Sequence, residues 1–197
     1  MMEQDIRNIT GVILAGGNSS RMGTNKAFLM IHNKPMITHI YELLETFFPC
    51  IVISTSQPEL FAFLDAATIA DETRGLGPMG GIFSCLKSIT TEKAFVTACD
   101  LPFINRELIR LIVQNSADFD FVVPSTDKEK LEPLCAVYDK NMLNVMAEMI
   151  RMNDLSLQHL KNKCNTKVIY VKEELQNYND KLFQNINTSS DFEKYIR

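Results

Sequence analysis

From residue 9 to residue 125, short apolar runs rich in β-branched residues alternate with segments of helical periodicity. No other feature of the chain constrains its fold as much. Ile9–Leu14 and residues 50–55, 68–70, 94–98 and 119–124 read as short buried strands. Residues 36–48 carry Ile37, Ile40, Tyr41, Leu44 and Phe48 at helical spacing. Residues 58–66, 82–89 and 106–114 read as further helices, the last opened by Asn105 as its cap. Such alternation argues for βαβ units, hence a parallel sheet with helices on both faces. In sheets of this kind ligands gather beyond the carboxyl ends of the strands. Leu14, Asp71 and Asp100 all fall at such ends.

After residue 125 the pattern loosens. A charged loop (126–130) precedes a strand (131–138) and a helix (141–152). That helix carries Met142, Met146, Met149 and Met152 on one face, a spacing that reads as core. A short helix (154–161), a strand (167–171), a polar stretch (173–181) and a final helix (191–197) complete the chain. At 197 residues this is one domain of ordinary size, 1–197. A net charge of −4 with no basic patch argues against nucleic acid as a partner. Five cysteines without a Cys-x-x-Cys suggest neither a disulfide framework nor zinc, and read as small buried hydrophobes. Residues 1–6 hold two acids and no long apolar run, unlike a signal peptide. No apolar stretch approaches eighteen residues, so no membrane span and a cytoplasmic protein are expected.

The first strand leads into residues 14–26, which hold three glycines, two serines, Arg21 and Lys26. Glycine lets backbone N–H groups approach a ligand closely, and a concave run of such groups suits an anion. Gly16-Gly17 alone would be a plain turn. Followed by Ser19, Arg21, Gly23 and Lys26, it reads as a triphosphate cradle. It is not a Walker A loop, because Lys26 stands between Asn25 and Ala27. Asp100 ends a strand within 98–103 and suits Mg2+, which takes few carboxylates and keeps water and phosphate as its other ligands. A turn aspartate before Pro102 is the plainer alternative. Asp71 can accept hydrogen bonds from a base edge or help place metal, or be a simple turn acid. His32, His39 and His159 share no spacing and receive no catalytic role.

Leu14-Ala-Gly-Gly-x-Ser-x-Arg-Met-Gly-x-x-Lys26 resembles the opening motif of the nucleotidyltransferases, and most of all that of the molybdenum cofactor guanylyltransferases. Cys99-Asp100-Leu-Pro102, the glycine-rich 75–81, Glu132-Pro-Leu-Cys-Ala-Val-Tyr138 and Asn185-Ile-Asn187-Thr188…Asp191 resemble later motifs of that family. The resemblance runs from about residue 9 to residue 195.

It implies a single Rossmann-like α/β nucleotidyltransferase domain with a mostly parallel sheet. A nucleotide-binding half (9–125) would be followed by an acceptor-binding half (126–197). The implied reaction transfers GMP from GTP to molybdenum-molybdopterin, with Mg2+, giving the guanine dinucleotide cofactor and pyrophosphate. Arg21, Lys26 and Asp100 would be catalytic, with the metal on Asp100. Leu14, Ala15, Gly16, Gly17, Lys26, Ser54, Asp71 and Asp100 would bind the nucleotide. Ser54 stands where relatives often carry a base-contacting Asn. Asn185 and Asn187, distant in sequence from the nucleotide loop, would meet the pterin, while Thr188 or Ser189 could cap the last helix. Leu155 stands where relatives often carry an Arg, so one pterin-phosphate contact is missing or supplied elsewhere. Gly16, where related cytidylyltransferases carry Ala, implies room for a purine. The alternatives are a cytidylyltransferase of the same fold and a non-catalytic nucleotide-binding module. The expected state is a monomer in transient contact with cofactor-delivering or molybdoenzyme partners.

Overall fold

The computed structural model describes residues 6–16, 25–73, 75–127, 130–188, 190, 191 and 193. In chain order the strands are β1 (Ile9–Leu14), β2 (Met30–Ile31), β3 (Lys34–Pro35), β4 (Ile51–Ser54), β5 (Ala67–Ile69), β6 (Lys93–Ala98), β7 (Phe121–Ser125), β8 (Cys135–Asp139) and β9 (Thr166–Tyr170). The α-helices are α1 (Met36–Glu45), α2 (Gly77–Ser88), α3 (Arg106–Gln114), α4 (Leu143–Arg151) and α5 (Val171–Glu174). Seven strands form one sheet in the order β5-β4-β1-β6-β8-β7-β9. All run parallel except β8, which is antiparallel to both its neighbours.

The two-residue period of each strand splits the core into two layers. Ile9 and Ile13 of β1, Ile51 and Ile53 of β4, Phe95 of β6 and Val137 of β8 face one layer. Ile37, Ile40 and Leu44 of α1 and Leu108, Ile109, Ile112 and Val113 of α3 cover it. Val12, Val52, Val96 and Tyr138 face the other layer, under Met79, Ile82 and Leu86 of α2 and Met146 and Met149 of α4. Burying one such side chain is worth about 1.5–3 kcal/mol. Strands buried on both faces read as unbroken apolar runs.

Local chemistry sets the ends of the elements. Asn105 Oδ1 accepts from Leu108 N (2.9 Å) and opens α3. Asn153, at φ 57°, ends α4 in a left-handed turn that returns Asp154 N to Met149 O (2.8 Å) and Asn153 N to Ile150 O (3.0 Å). His32 and Asn33, both at positive φ, make the tight turn between β2 and β3.

Five sequence expectations are corrected. Residues 58–66 make only one 3-10 turn, Pro58–Phe61, without a side-chain cap; so short a segment cannot repay helix nucleation. Helix α2 begins at Gly77, so Gly80 and Gly81 lie inside it and not in a loop. The strand expected over 131–138 is confined to Cys135–Asp139, because Pro133 has no N–H for a ladder and Cys135 N turns back to Glu132 O (3.0 Å). Met142, Met146 and Met149 are core, but Met152, the C-cap of α4, is 65% exposed. Among the cysteines, Cys85 and Cys135 are buried and Cys99 and Cys164 half-buried, but Cys50 is exposed just before β4.

Candidate functional site

The carboxyl ends of β4, β1 and β6 lie side by side, since Leu14 is in register with Ser54 on one flank and with Ala98 on the other. Backbone bonds carry the alignment past the strands. Ala15 N donates to Ser54 O (2.9 Å), and Cys99 N donates to Leu14 O (3.1 Å). A cleft of about 260 Å3 opens there. Leu14, Ala15, Gly16, Asn25, Lys26, Pro78, Ala98, Cys99, Asp100 and Leu134 line it. The structure thus brings together Leu14, Ala15, Gly16, Lys26 and Asp100, five of the residues expected from sequence. Gly17 and Arg21, with Ser19 and Gly23, lie outside the described residues.

Asn25 orients Lys26. Its Oδ1 accepts from Ala27 N (3.1 Å) and caps the 3-10 turn Lys26–Phe28, whose Ala27 is fully buried. The ammonium of Lys26 then stands 4.0 Å from Asp100 Oδ2 and donates to Asn187 Oδ1. Burial pushes the Asp100 carboxyl above the usual carboxylate range, and the Lys26 charge pulls it partly back. The neighbouring Cys99 thiol is pushed up to about 12 by burial and by the Asp100 charge, so it stays a neutral thiol. Among the described residues no group of three or more His, Cys, Asp or Glu side chains is placed to hold a metal. One carboxylate open to a cleft suits a metal that takes its remaining ligands from phosphate and water.

Across β1 from Asp100 stand Ser54 and Asp71. Ser54 is buried, and its hydroxyl donates to Asp71 Oδ1 (3.3 Å). Burial raises the Asp71 carboxyl from its ordinary range, and the Ser54 bond lowers it in part. Helix α2 passes so close that a Cβ on Gly81 would sit 2.8 Å from Ser54 Oγ and 3.4 Å from Asp71 Oδ1. That close approach explains a glycine inside a helix, where it otherwise costs about 1 kcal/mol. No side chain caps the start of α2 at Leu76, and Pro78 in its first turn faces the cleft. At Gly16, by contrast, the contact that a Cβ would make among the described residues is with Ser54 O at 3.7 Å, an ordinary one. Among those residues, packing does not require a glycine at 16.

The largest difference from the sequence expectation concerns Asn187, whose side chain reaches Lys26. Ile186 N donates to Asp100 O (2.9 Å), and Ile186 is buried against Ile31 and Met36. Beyond it, Thr188 Oγ1 accepts from Asp191 N (3.1 Å) while Asp191 Oδ2 accepts from Thr188 N (2.9 Å). This reciprocal pair of bonds, in the pattern of a capping box, fixes the segment at Thr188 and Asp191. Asn185 is exposed two residues earlier. Leu155, where an Arg was expected in relatives, packs against the apolar layer of α2 and α4. His39 Nε2 bonds Ile31 O (2.8 Å) and His159 Nδ1 bonds Asp154 Oδ1 (2.8 Å), which gives both rings structural partners.

Sequence reading missed Asn25 and Leu134. Asn25 could have been found as a polar cap before an apolar run. Leu134 lies inside the motif 132–138, but its place at the cleft could not have been found, since it reaches the cleft through the pairing of β8 with β6, where Ala98 N donates to Leu134 O (3.1 Å).

Comparison with known proteins fits this geometry. Residues 11–164 match the family model described as a MobA-like NTP transferase domain. A protein of Carboxydothermus hydrogenoformans named probable molybdenum cofactor guanylyltransferase is 32% identical, over 98% of this chain and 97% of its own. One of the same name from Pelotomaculum thermopropionicum is 36% identical, over 94% and 90%. The crystal structure of molybdopterin-guanine dinucleotide biosynthesis protein A from Archaeoglobus fulgidus shares the fold, with a TM-score of 0.78, 23% identity and coverage of 94% and 95%.

Proposed function

The chain belongs to the MobA-like NTP transferase family, and on that footing we propose that it transfers GMP from GTP to molybdenum-molybdopterin, releasing pyrophosphate. An oxygen of the pterin's terminal phosphate attacks the α-phosphorus of GTP. The new P–O bond forms as the bond to the β-phosphate bridge breaks. The attacking group is already an anion, so neither a general base nor a covalent enzyme intermediate is required. The work of the protein is positioning and charge neutralisation.

The observation that carries this reading is the pairing of a lysine ammonium with a half-buried carboxylate across one cleft at the strand ends. In this reading Leu14, Ala15, Gly16 and Gly17 lie along the nucleotide, while Lys26 and Arg21 address its phosphates. Asp71, held by Ser54, accepts from the base edge. Asn185 and Asn187 serve the pterin. Asp100 would hold a Mg2+ ion, which when bound would supply charge neutralisation at the phosphates. The protein works as a cytoplasmic monomer that meets delivery or acceptor proteins only transiently. Among the described residues, no helix is long and apolar enough to cross a membrane.

The test is pyrophosphate release from GTP, with and without molybdenum-molybdopterin, at fixed Mg2+. Release that depends on the acceptor supports the reading. Nucleotide binding without release would leave a binding module, and preferred use of CTP would make it a cytidylyltransferase.

A further inference from the structure

Lys26 and Asp100 present a difficulty that their own positions do not resolve. An ammonium and a carboxylate in a partly dry cleft attract one another. A closed pair would cancel both charges, leaving the lysine weakened toward phosphate and the carboxylate weakened toward a cation. The observed separation of 4.0 Å is loose for an ion pair. A second partner takes the ammonium instead, for Lys26 Nζ donates to Asn187 Oδ1. The amide oxygen accepts a hydrogen bond without bringing a charge, so the lysine keeps its own. Lys26 has a flexible four-carbon stem, and its side chain is 37% exposed. Without a fixed partner it would spread over many rotamers.

Asn187 can serve as that fixed partner because its backbone is tied on both sides. Ile186 is fully buried and its N–H is bound to Asp100 O. Asp191 Oδ2 accepts from Asn187 N (3.2 Å) as well as from Thr188 N. One short segment therefore grips the backbone of the carboxylate residue and the side chain of the lysine together. We propose that Asn187 is a positioning residue for Lys26, and that segment 185–188 thereby belongs to the triphosphate site as well as to the acceptor half. The proposal rests on the reading of Lys26 as a phosphate contact.

Calorimetry on the full chain with Mg2+, using GTP and guanosine as probes, tests it. Asn187→Ala is expected to weaken GTP about three- to tenfold, the loss of one hydrogen bond's worth of ordering, and to leave guanosine unchanged. On a Lys26→Ala background the same change adds nothing, since its route of action is gone. Asn187→Asp is expected to weaken GTP more than the alanine variant does, because a carboxylate there closes an ion pair on Lys26 and repels phosphate. Asn187 is exposed, so Asn187→Ala and Asn187→Asp should keep the wild-type melting temperature, which scanning calorimetry reads. Unchanged GTP affinity in Asn187→Ala would overturn the proposal. So would equal losses for guanosine, or losses that multiply with those of Lys26→Ala. A Lys26→Ala variant that loses GTP and guanosine equally would instead refute the phosphate role of Lys26, and the proposal with it.

Discussion

The two sides of the sheet are built on different rules. On the β5-β4-β1-β6 side every strand is parallel, each strand end delivers a loop to the same edge, and chain order predicts which residues meet. On the β8-β7-β9 side the antiparallel β8 is inserted between β6 and β7, two strands that precede it in the chain. Its reversed direction brings the start of the strand, and not its end, to the ligand edge. Leu134, just before β8, therefore lines the cleft beside Ala98. The lesson is that a parallel region declares its site in sequence through strand ends. An inserted reverse strand contributes to the same site with no such signal.

Asp100 should show the largest effect, as the carboxylate at the end of the parallel side. Asp100→Asn is expected to cut turnover by about 10²–10³-fold, the range for loss of one group that stabilises transition-state charge. It should not cost stability. Burial raises the folded carboxyl above its unfolded value, so the folded state binds the proton more readily. The stability this group contributes is present at low pH and lost as pH rises through the folded value. An amide never ionises, so the variant's melting temperature at neutral pH should equal or exceed that of the wild type. Wild-type turnover in this variant would remove Asp100 from the site. The same shift implies that, at low Mg2+, metal binding fails on acidification at a higher pH than an ordinary aspartate would give. A titration of Mg2+ affinity against pH reads this directly.

The seam between the two sides can be broken next. Lys93 of β6 pairs with Asp139 of β8 at 2.6 Å, both nearly buried, and also donates to Phe119 O (2.9 Å). Lys93→Ala leaves Asp139 without its charge partner and should destabilise the fold by about 3 kcal/mol. Urea unfolding measures it. If each side had its own stability, the variant would unfold in two steps; one cooperative step is expected, because both apolar layers run across the seam.

Gly81→Ala strikes the Ser54–Asp71 flank of the parallel side. The added methyl must displace Ser54 Oγ, at a cost of about 1–3 kcal/mol. It should weaken GTP and compress its advantage over CTP while leaving acceptor use intact. The smallest effects concern base choice itself. GTP is expected to bind at least about tenfold more tightly than CTP, a gap of about 1.4 kcal/mol. Gly16→Ala should leave protein stability unchanged, since its methyl meets Ser54 O in ordinary contact among the described residues, and should act on GTP affinity. Competition binding with both nucleotides decides both points, and a preference for CTP in the wild type would overturn the guanylyl assignment.

Sequence alone determined what depends on near neighbours along the chain. The apolar runs fixed β1, β4, β6 and β7, because a strand buried on both faces needs little else to be recognised. The glycines, Lys26 and the strand-end aspartates identified the family and the edge of the sheet where the cleft opens. Asn105 marked the start of α3 through its own side chain. Only the tertiary structure decided what depends on backbone pairing between distant segments. It set β8 between β6 and β7, drew Leu134 into the cleft and laid Asn187 against Lys26, 161 residues away in the chain. It also took Gly80 and Gly81 out of a presumed loop and into a helix, for a reason visible only once Ser54 and Asp71 lie beneath it. Periodicity reports which face of an element is apolar. Which partner that face meets is settled by loop reach and by backbone groups that must all be bonded, and these are properties of the whole chain.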